Sequence, residues 1–293
     1  MGFAAAREFL TEGYHVIIAC RNPEKAEKAK SRLTALTGKN NIESSLLDLA
    51  SLKQIRQSVN DLQTPVDILV CNAGVSYNNG IRYSADGFEE TFGVNYLGHF
   101  LLTILMLQKF SNTLKRIVVV SSNLHNPKTS AGMFPAPSFT SIEELAYPSG
   151  QVSQDPDRRG RLAYVNSKLC NVLFTYKLDE LLKLTGRQDV LVNAFNPGFI
   201  PDTNLGRDSS PSMKFMLRHV LPRMKLLIRE IRTAEESAKN LKRLIMEVTV
   251  SGKYFDGPNE TASSPLSYDR DLSSRLWDAS TKMTGLLPHE TIT

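Results

Sequence analysis

Short apolar runs alternate with longer segments of helical periodicity along this chain. Such alternation is typical of βαβ units, in which a helix connects each strand of a parallel sheet to the next. The runs are apolar on both faces, which indicates strands that are covered by helices on each side. They lie at residues 15–20, 44–48, 66–71, 116–121 and 190–195. The pattern predicts an α/β fold with a doubly wound parallel sheet.

Helix start signals stand between these runs. Asn22 is placed to cap a helix that has Pro23 at its first position, and Ser51 is placed to cap the next helix. The apolar residues after Ser51 recur at helical spacing: Leu52, Ile55, Val59 and Leu62. The chain opens with a segment of helical character, so the predicted order is helix, strand, helix, strand.

The composition is that of an ordinary globular protein. The 293 residues are 41% apolar and 22% charged, and one α/β core can absorb this length, so a single domain over residues 1–293 is expected. Residues 123–162 are rich in proline, serine and glycine and lack clear periodicity. That segment is interpreted as an insertion or a surface excursion.

The net charge of +5 comes from one segment. Residues 213–232 carry six basic side chains against Glu230 alone, so the rest of the chain is close to neutral and no nucleic-acid partner is expected.

The three cysteines are far apart and odd in number, which argues against a disulfide scaffold and favours a reducing compartment. The most apolar stretch, residues 100–107, is far shorter than the roughly 20 residues of a membrane span. We expect a cytoplasmic protein, with peripheral membrane contact left open.

Tyr164 and Lys168 are the candidate chemical centre. They are four residues apart in the segment AYVNSKLCN, which has helical character, so both side chains lie on one helix face. A tyrosine in water has a pKa near 10 and is a poor proton donor or acceptor at neutral pH. A neighbouring ammonium lowers that pKa because it favours the phenolate. The pair therefore suits general acid–base chemistry, although the same spacing also occurs by chance in structural helices.

Polar and small residues at the ends of the predicted strands favour the chemical interpretation. Ser121 and Ser122 end one strand, at the edge where parallel sheets bind ligands. CNAG (71–74) ends another, with residues small enough to let a cofactor approach the backbone. Asn95 places a polar side chain inside a predicted helix, and NPGF (196–199) breaks the chain after a further strand.

The motifs CNAG, NYLGHF, VVVSS, YVNSK and NPG occur in the order and at the spacing of the short-chain dehydrogenase/reductase family. The chain resembles that family over nearly its whole length, which implies a single-domain, Rossmann-type doubly wound sheet. Within the family, DLAS, SADGFEETFGVNYLGHFLL and SKLCNVLF are most similar to retinol dehydrogenases and light-dependent protochlorophyllide reductases. Cys170 has counterparts in both groups and does not decide the substrate.

The resemblance implies a catalytic tetrad of Asn95, Ser122, Tyr164 and Lys168. The second hydroxyl of a serine pair aligns with the family's catalytic position, which favours Ser122 over Ser121. In the implied reaction, hydride passes between the nicotinamide C4 and a carbonyl carbon while Tyr164 donates a proton to the oxygen. Ser122 orients that oxygen, Lys168 lowers the tyrosine pKa and binds the nicotinamide ribose, and Asn95 holds a water.

The resemblance also implies a set of cofactor-binding residues. They are Gly2, Arg21, Asp48, Leu49, Asn72, Ala73, Gly74, Tyr164, Lys168, Pro197, Gly198, Ile200 and Thr203. An acidic residue after the family's second strand binds NAD, whereas an arginine there favours the 2′-phosphate of NADP. Arg21 occupies that place, so NADP (NADPH) is expected over NAD, unless Arg21 is an ordinary solvated charge. The family's threonine four residues beyond the glycine is Asp202 here, with Thr203 next.

No metal is expected, because the five histidines have no ligand spacing. They are interpreted as structural or surface residues. The family's first strand and its TGxxxGxG turn precede the first helix, and only the last glycine of that turn has a counterpart here, Gly2. The resemblance therefore implies a sheet without its first central strand and a cofactor site with fewer backbone amides for the pyrophosphate.

Residues 205–232 correspond to the family's substrate lid, whose apolar residues suit a small hydrophobic carbonyl or alcohol substrate. Alternatively, the basic and apolar residues of 213–232 rest on an anionic membrane surface, and the two roles are compatible. A homo-oligomer is also left open.

Three functions follow from the sequence. The first is an NADP-dependent oxidoreductase that interconverts a hydrophobic carbonyl compound and its alcohol. The second is a light-dependent protochlorophyllide reductase. This function is disfavoured because residues 123–162 bear little likeness to the corresponding segment of those enzymes. The third is a noncatalytic member of the family that acts through binding or oligomerisation.

Overall fold

The computed structural model describes residues 1–77, 79–129, 134–148, 155–201 and 230–292. Strands and helices alternate as the apolar pattern predicts. The strands are β1 (Val16–Cys20), β2 (Ile42–Leu46), β3 (Ile68–Cys71), β4 (Arg116–Val120), β5 (Leu191–Asn196), β6 (Lys253–Asp256) and β7 (Asn259–Glu260). The helices are α1 (Gly2–Thr11), α2 (Pro23–Thr37), α3 (Leu52–Asp61), α4 (Glu90–Phe92), α5 (Gly98–Lys109), α6 (Ile142–Ala146), α7 (Pro156–Leu184), α8 (Ala234–Glu247) and α9 (Arg270–Thr284).

The two predicted helix starts are confirmed. The Asn22 side chain accepts a hydrogen bond from the backbone N–H of Lys25, with Pro23 at the first position of α2. Ser51 caps α3 in the same way. Each cap satisfies a backbone donor that the first helical turn leaves without a partner.

Two predicted boundaries are wrong. The second strand spans Ile42–Leu46 rather than residues 44–48, because it pairs in parallel with β1 from Ile42 opposite Val16 to Leu46 opposite Cys20. The segment interpreted as an excursion, 123–162, ends inside a helix, because Asp155 caps α7 and Pro156 begins it. Its other described parts contain short helical turns and α6.

The sheet is divided into two parts. Its strand orders are β1-β2 and β3-β4-β5-β6-β7, with every pair parallel except β6 and β7. A cavity of about 700 Å³ separates the parts and is lined by β1 and by residues 68–70 of β3. Among the described residues no strand lies between β1 and β3, and this is the place where the family resemblance implies a missing strand.

Apolar side chains cover both faces of the larger sheet. In β4, Val118 and Val120 pack with residues of α1 and α8, such as Phe9 and Leu241. Ile117 and Val119 belong to the larger core on the opposite face, with α3, α5, α7 and α9. Successive residues of a strand point to opposite faces. This packing confirms a doubly wound α/β fold, and it presents the carboxyl ends of β3, β4 and β5 at one edge.

Candidate active site

The structure brings Ser122 and Tyr164 together at the carboxyl end of β4. The Tyr164 phenol lies near the Ser122 side chain, whose hydroxyl favours the phenolate and so opposes the rise in the Tyr164 pKa; Ser122 Oγ also accepts from the backbone N–H of Leu124 at 3.2 Å. Ser121 instead donates through Oγ to the carbonyl of Lys168, at 2.7 Å, and is buried. Ser121 therefore anchors β4 to α7, while Ser122 faces the phenol.

Lys168 lies one helical turn beyond Tyr164 on α7 and is only 4% exposed. Its Nζ donates to the carbonyl oxygen of Val120 at 3.1 Å and lies 5.6 Å from the centre of the Tyr164 ring. Burial lowers the pKa of this ammonium to about 8, because the charged form loses its hydration.

The pKa of Tyr164 departs from the sequence-based expectation. Burial raises it to about 12, and the hydrogen bond with Ser122 acts in the opposite direction. Lys168 is not among the causes of the Tyr164 shift in this structure. Tyr164 is consequently a protonated phenol at neutral pH, which is the form that can donate a proton.

Asn95 lies in a π-helical turn, Gly93–Leu97, between α4 and α5. Its side chain accepts from the backbone N–H of Val75 at 2.7 Å and donates to the carbonyl of Val75 at 2.9 Å and to Ser167 Oγ at 3.0 Å. The backbone carbonyl oxygen of Asn95 is 3.1 Å from Nδ1 of His99. These contacts hold the loop after β3 against α7. They also occupy the side-chain amide of Asn95, the group expected from the sequence to hold a water.

The candidate cofactor residues from the first half of the chain share one cavity. The 700 Å³ space beside β1 and β3 is lined by Gly2, Arg21, Asp48, Leu49, Asn72, Ala73 and Gly74. The same space includes the gap between the two parts of the sheet, because residues such as Ile17 and Leu69 also line it. Arg21 is exposed at its rim and lies 3.8 Å from the Glu90 carboxylate.

Two glycines of the cavity wall lie close to polar side chains. A Cβ on Gly74 would lie 3.4 Å from Asn95 Oδ1 and 3.7 Å from Lys168 Nζ, which places Gly74 beside both residues. A Cβ on Gly2 would lie 2.8 Å from the Asn72 amide nitrogen. Gly2 also begins α1, and no side chain caps that end. The N–H groups of a first helical turn favour an anionic ligand.

Pro197, Gly198 and Ile200 form the loop after β5. Gly198 has a φ of 81°, in the left-handed region that favours glycine, and a Cβ there would lie 2.8 Å from the Arg232 side chain. Thr203, the remaining candidate contact, lies outside the described residues, as does most of the predicted lid, 205–232, and of the predicted membrane-contact segment, 213–232.

Arg232 is a residue that the sequence reasoning missed. Its guanidinium donates to the carbonyl of Asn196 at 3.3 Å and pairs with Asp256 at 2.9 Å. It therefore joins the carboxyl end of β5 to the carboxyl end of β6. The sequence shows Arg232 only as one of several basic residues in a run, and its acidic partner lies 24 residues further along the chain.

Asn171 was also missed. It donates to the carbonyl of Val120 at 3.0 Å, beside the Lys168 ammonium, and its Oδ1 is buried without a partner. A polar residue three positions after Lys168 on a buried helix face is the signal that could have identified it.

In the described part of the chain, no helix combines the length and apolarity needed to cross a bilayer. Within the same ranges, no group of three or more His, Cys, Asp or Glu side chains is arranged to hold a metal ion.

Comparison with known proteins gives matches over nearly the whole chain. A family model described as short chain dehydrogenase matches residues 1–135. Retinol dehydrogenase 13 of Mus musculus is 37% identical, and the alignment covers 98% of this chain and 81% of that protein. Protochlorophyllide reductase B of Oryza sativa subsp. japonica is 31% identical, with 99% and 76% covered.

Solved structures share the fold. A protein from Mycobacterium paratuberculosis superposes with a TM-score of 0.69 at 27% identity, covering 97% of this chain and 89% of that one. An alcohol dehydrogenase from Thermococcus sibiricus gives a TM-score of 0.59 at 20% identity, covering 89% and 92%. With these matches and the Tyr164 site, the chain belongs to the short-chain dehydrogenase/reductase family, whose members are oxidoreductases that act on alcohol and carbonyl groups.

Proposed function

We propose that this protein is an NADP-dependent oxidoreductase that interconverts a hydrophobic carbonyl compound and its alcohol. One observation carries the proposal. Tyr164 lies near Ser122 and Lys168, and Lys168 Nζ would be 3.7 Å from a Cβ on Gly74, a residue of the cavity wall. The candidate proton donor is therefore linked to the cavity wall through Lys168 and Gly74.

The side chains have separate tasks in this reaction. Bound nicotinamide supplies hydride chemistry at its C4 position. Tyr164, protonated because its pKa is about 12, donates its proton to the carbonyl oxygen as negative charge develops there. Ser122 hydrogen-bonds the same oxygen and fixes its position. Lys168 has three N–H donors, of which Val120 accepts one, and the others are directed to the cofactor ribose in the proposed complex.

The NADP preference is supported by Arg21. It is exposed at the cavity rim and directly follows β1, where a guanidinium can form paired hydrogen bonds with a 2′-phosphate. Asp48 and Leu49, also in the cavity wall, are assigned to the adenine.

A hydrophobic substrate is supported by the surroundings of Tyr164 and by the relatives. The Phe134 ring lies 6.5 Å from the Tyr164 ring, and the chain is 37% identical to a retinol dehydrogenase. The protochlorophyllide reductases are similar too, at 31% identity, and Cys170, which is buried in the core, does not distinguish the two substrate classes.

The test is NADPH oxidation with all-trans-retinal and, as a matched small aldehyde, acetaldehyde. We expect NADPH-dependent reduction of retinal with a higher kcat/KM than for acetaldehyde, and a loss of at least about a thousandfold in kcat in Tyr164→Phe. The exposed variant Tyr83→Phe serves as control. Calorimetric titration shows whether NADPH binds. Binding without turnover on either aldehyde would contradict the proposal and favour a noncatalytic member of the family.

Arg21 is tested separately by titrating NADPH and NADH into Arg21→Ala. We expect the Kd for NADPH to rise about tenfold or more, since a charge-assisted phosphate contact is lost, and the Kd for NADH to change little. Lys28→Ala, an exposed cation on α2 outside the cavity wall, is the control. An equal loss for both cofactors would contradict the assigned preference.

A further inference from the structure

His125 lies immediately after the catalytic strand edge and is 1% exposed, whereas the sequence pattern suggests only a structural or surface role. Its Nδ1 is 2.5 Å from the carbonyl oxygen of Ser122, and its Nε2 is 3.0 Å from the backbone nitrogen of Ser264. The edge of its ring packs on Tyr254, with the ring centres 4.8 Å apart.

The two partners determine the protonation of the ring. The Ser122 carbonyl can only accept a hydrogen bond, so Nδ1 carries the proton. The backbone N–H of Ser264 can only donate, so Nε2 has the lone pair. Only the neutral Nδ1–H tautomer satisfies both contacts, and burial, which lowers the pKa of His125, favours the same form.

The Ser264 side of this bridge is connected to the helix that holds Tyr164. Ser267 donates to the carbonyl of Ser264 at 2.6 Å and is paired with Ser263 Oγ at 2.6 Å. Ser263 Oγ is in turn 2.7 Å from the hydroxyl of Tyr176, which lies on α7. The position of Ser122 is thereby fixed relative to α7 through His125, independently of the direct contact with Tyr164.

We propose that His125 is a positioning residue. As the Nδ1–H tautomer it fixes the Ser122 backbone, and so the direction of the Ser122 hydroxyl, relative to Tyr164. The inference rests on the proposed carbonyl chemistry for its kinetic consequence. The predicted tautomer and the Ser122 geometry do not depend on it.

Two substitutions test the two hydrogen bonds of the His125 ring separately. The amide nitrogen of asparagine lies at about the position of Nδ1, so His125→Asn keeps a donor for the Ser122 carbonyl and loses the acceptor for Ser264. The glutamine amide reaches about as far as Nε2, so His125→Gln keeps an acceptor for Ser264 and loses the donor for Ser122. Each variant loses one buried hydrogen bond, and both should lower Tm.

The experiment compares kcat and KM for retinal reduction in the wild type, both variants and His125→Ala. We expect kcat to fall at least about tenfold in the glutamine and alanine variants with KM changed less than about twofold, and to stay within about threefold in the asparagine variant. His15→Gln, at an exposed histidine that pairs with Glu43, controls for loss of an imidazole. A kcat that falls in parallel with Tm in both variants would show a merely structural role and overturn the inference.

A second readout works without turnover. Histidine ¹⁵N chemical shifts must show the neutral Nδ1–H tautomer for His125; an Nε2–H or charged ring would overturn the inference. The Tyr164 pKa, followed by ¹³C labelling of its ring, should rise in His125→Gln and in Ser122→Ala, because both variants disturb the Ser122 hydroxyl that favours the phenolate, and should remain near the wild-type value in His125→Asn. If the wild type turns over no aldehyde, the proposed function fails, and these spectra still decide the role of His125.

Discussion

Lys168 is a charged residue in an environment that disfavours its charge. It is 4% exposed, and the folded protein lowers its pKa from 10.5 to about 8. Between these pH values the folded state binds fewer protons than the unfolded state. Burying the Lys168 charge therefore destabilises the folded protein by its full amount below about pH 8, and this destabilisation decreases as the pH rises toward 10.5. Lys168 is retained at a cost to folding, which is typical of residues that serve a site.

Lys168→Met should consequently stabilise the protein. We expect the free energy of unfolding at pH 7 to rise by about 1–3 kcal/mol, since the chain volume is kept and the buried charge is removed. Urea unfolding at pH 7 and pH 9.5 measures this, with a smaller gain at the higher pH. Lys253→Met, which removes an exposed ion pair with Glu260, should change stability by less than about 0.5 kcal/mol. Destabilisation at pH 7 by the Lys168 variant would refute this account.

The same pKa predicts a pH profile. Because Lys168 loses its charge as the pH rises through about 8, kcat/KM for reduction should fall above pH 8, whereas Tyr164, with a pKa of about 12, stays protonated over that range. We expect kcat/KM of the wild type to fall with the titration of a single proton near pH 8. The fall should be absent in any active Lys168→Arg variant. A profile flat to pH 10 would show that the Lys168 charge is not used.

Chemistry that lies within a few residues was predictable from the sequence. Tyr164 and Lys168 are one helical turn apart, so their shared helix face followed from local rules, whereas the place of Ser122 beside them was implied by the family resemblance. The contact between His125 and Ser264 joins residues 139 positions apart in the chain. No periodicity or motif encodes that pairing, and only the folded chain reveals it.

The start of α8 links helix capping to the site. Thr233 accepts from the backbone N–H of Glu236, whose carboxylate accepts from the N–H of Thr233, which together form a capping box. The next turn contributes Ser237, whose hydroxyl donates to the carbonyl of Pro197 at 2.6 Å. The cap therefore also supports the loop after β5.

Thr233→Ala should lower the free energy of unfolding by about 1 kcal/mol, because one backbone donor of α8 loses its partner. Chemical denaturation measures the change, and Thr261→Ala, at an exposed threonine, should have less than half that effect. Equal effects in the two variants would indicate that the capping box contributes nothing specific.

The elements that the sequence pattern predicted best are those with long apolar or capped segments. β1, β4 and β5 lie within a residue or so of their predicted positions. β2 was displaced by two residues because pairing with β1, and not the apolar run itself, sets its ends. β6 has four residues between Gly252 and Gly257, too few for a period to be recognised.

The divided sheet is the main feature of the molecule as a whole. β1 pairs with β2 and β3 pairs with β4 among the described residues, while the edges that face the cavity have no strand partner there. β4 is paired on both sides. Strand amides without a partner are more easily reached by solvent and open at lower cost.

Hydrogen exchange should reproduce this division. We expect the cavity-facing amides of β1 and β3 to exchange markedly faster than those of β4, and to be partly protected when NADPH fills the adjoining site. Two-dimensional NMR of the protein with and without NADPH resolves these amides. Protection of β1 equal to that of β4 in the absence of cofactor would contradict the divided sheet.

Helix–strand alternation predicted the layers, and the family resemblance located the gap, but neither indicated that the gap is a cavity continuous with the cofactor residues.

Direct transfer of hydride is the most immediate test of the proposed chemistry. NADPH carrying deuterium at C4 is incubated with retinal and the wild-type protein or Tyr164→Phe, and the alcohol is analysed by mass spectrometry. We predict that the wild type yields retinol with one deuterium on the carbinol carbon from one of the two C4 positions, and that the variant yields at least about a thousandfold less. Unlabelled retinol, or equal labelled product from Tyr164→Phe, would contradict the assignment of Tyr164 as the proton donor in a hydride-transfer site.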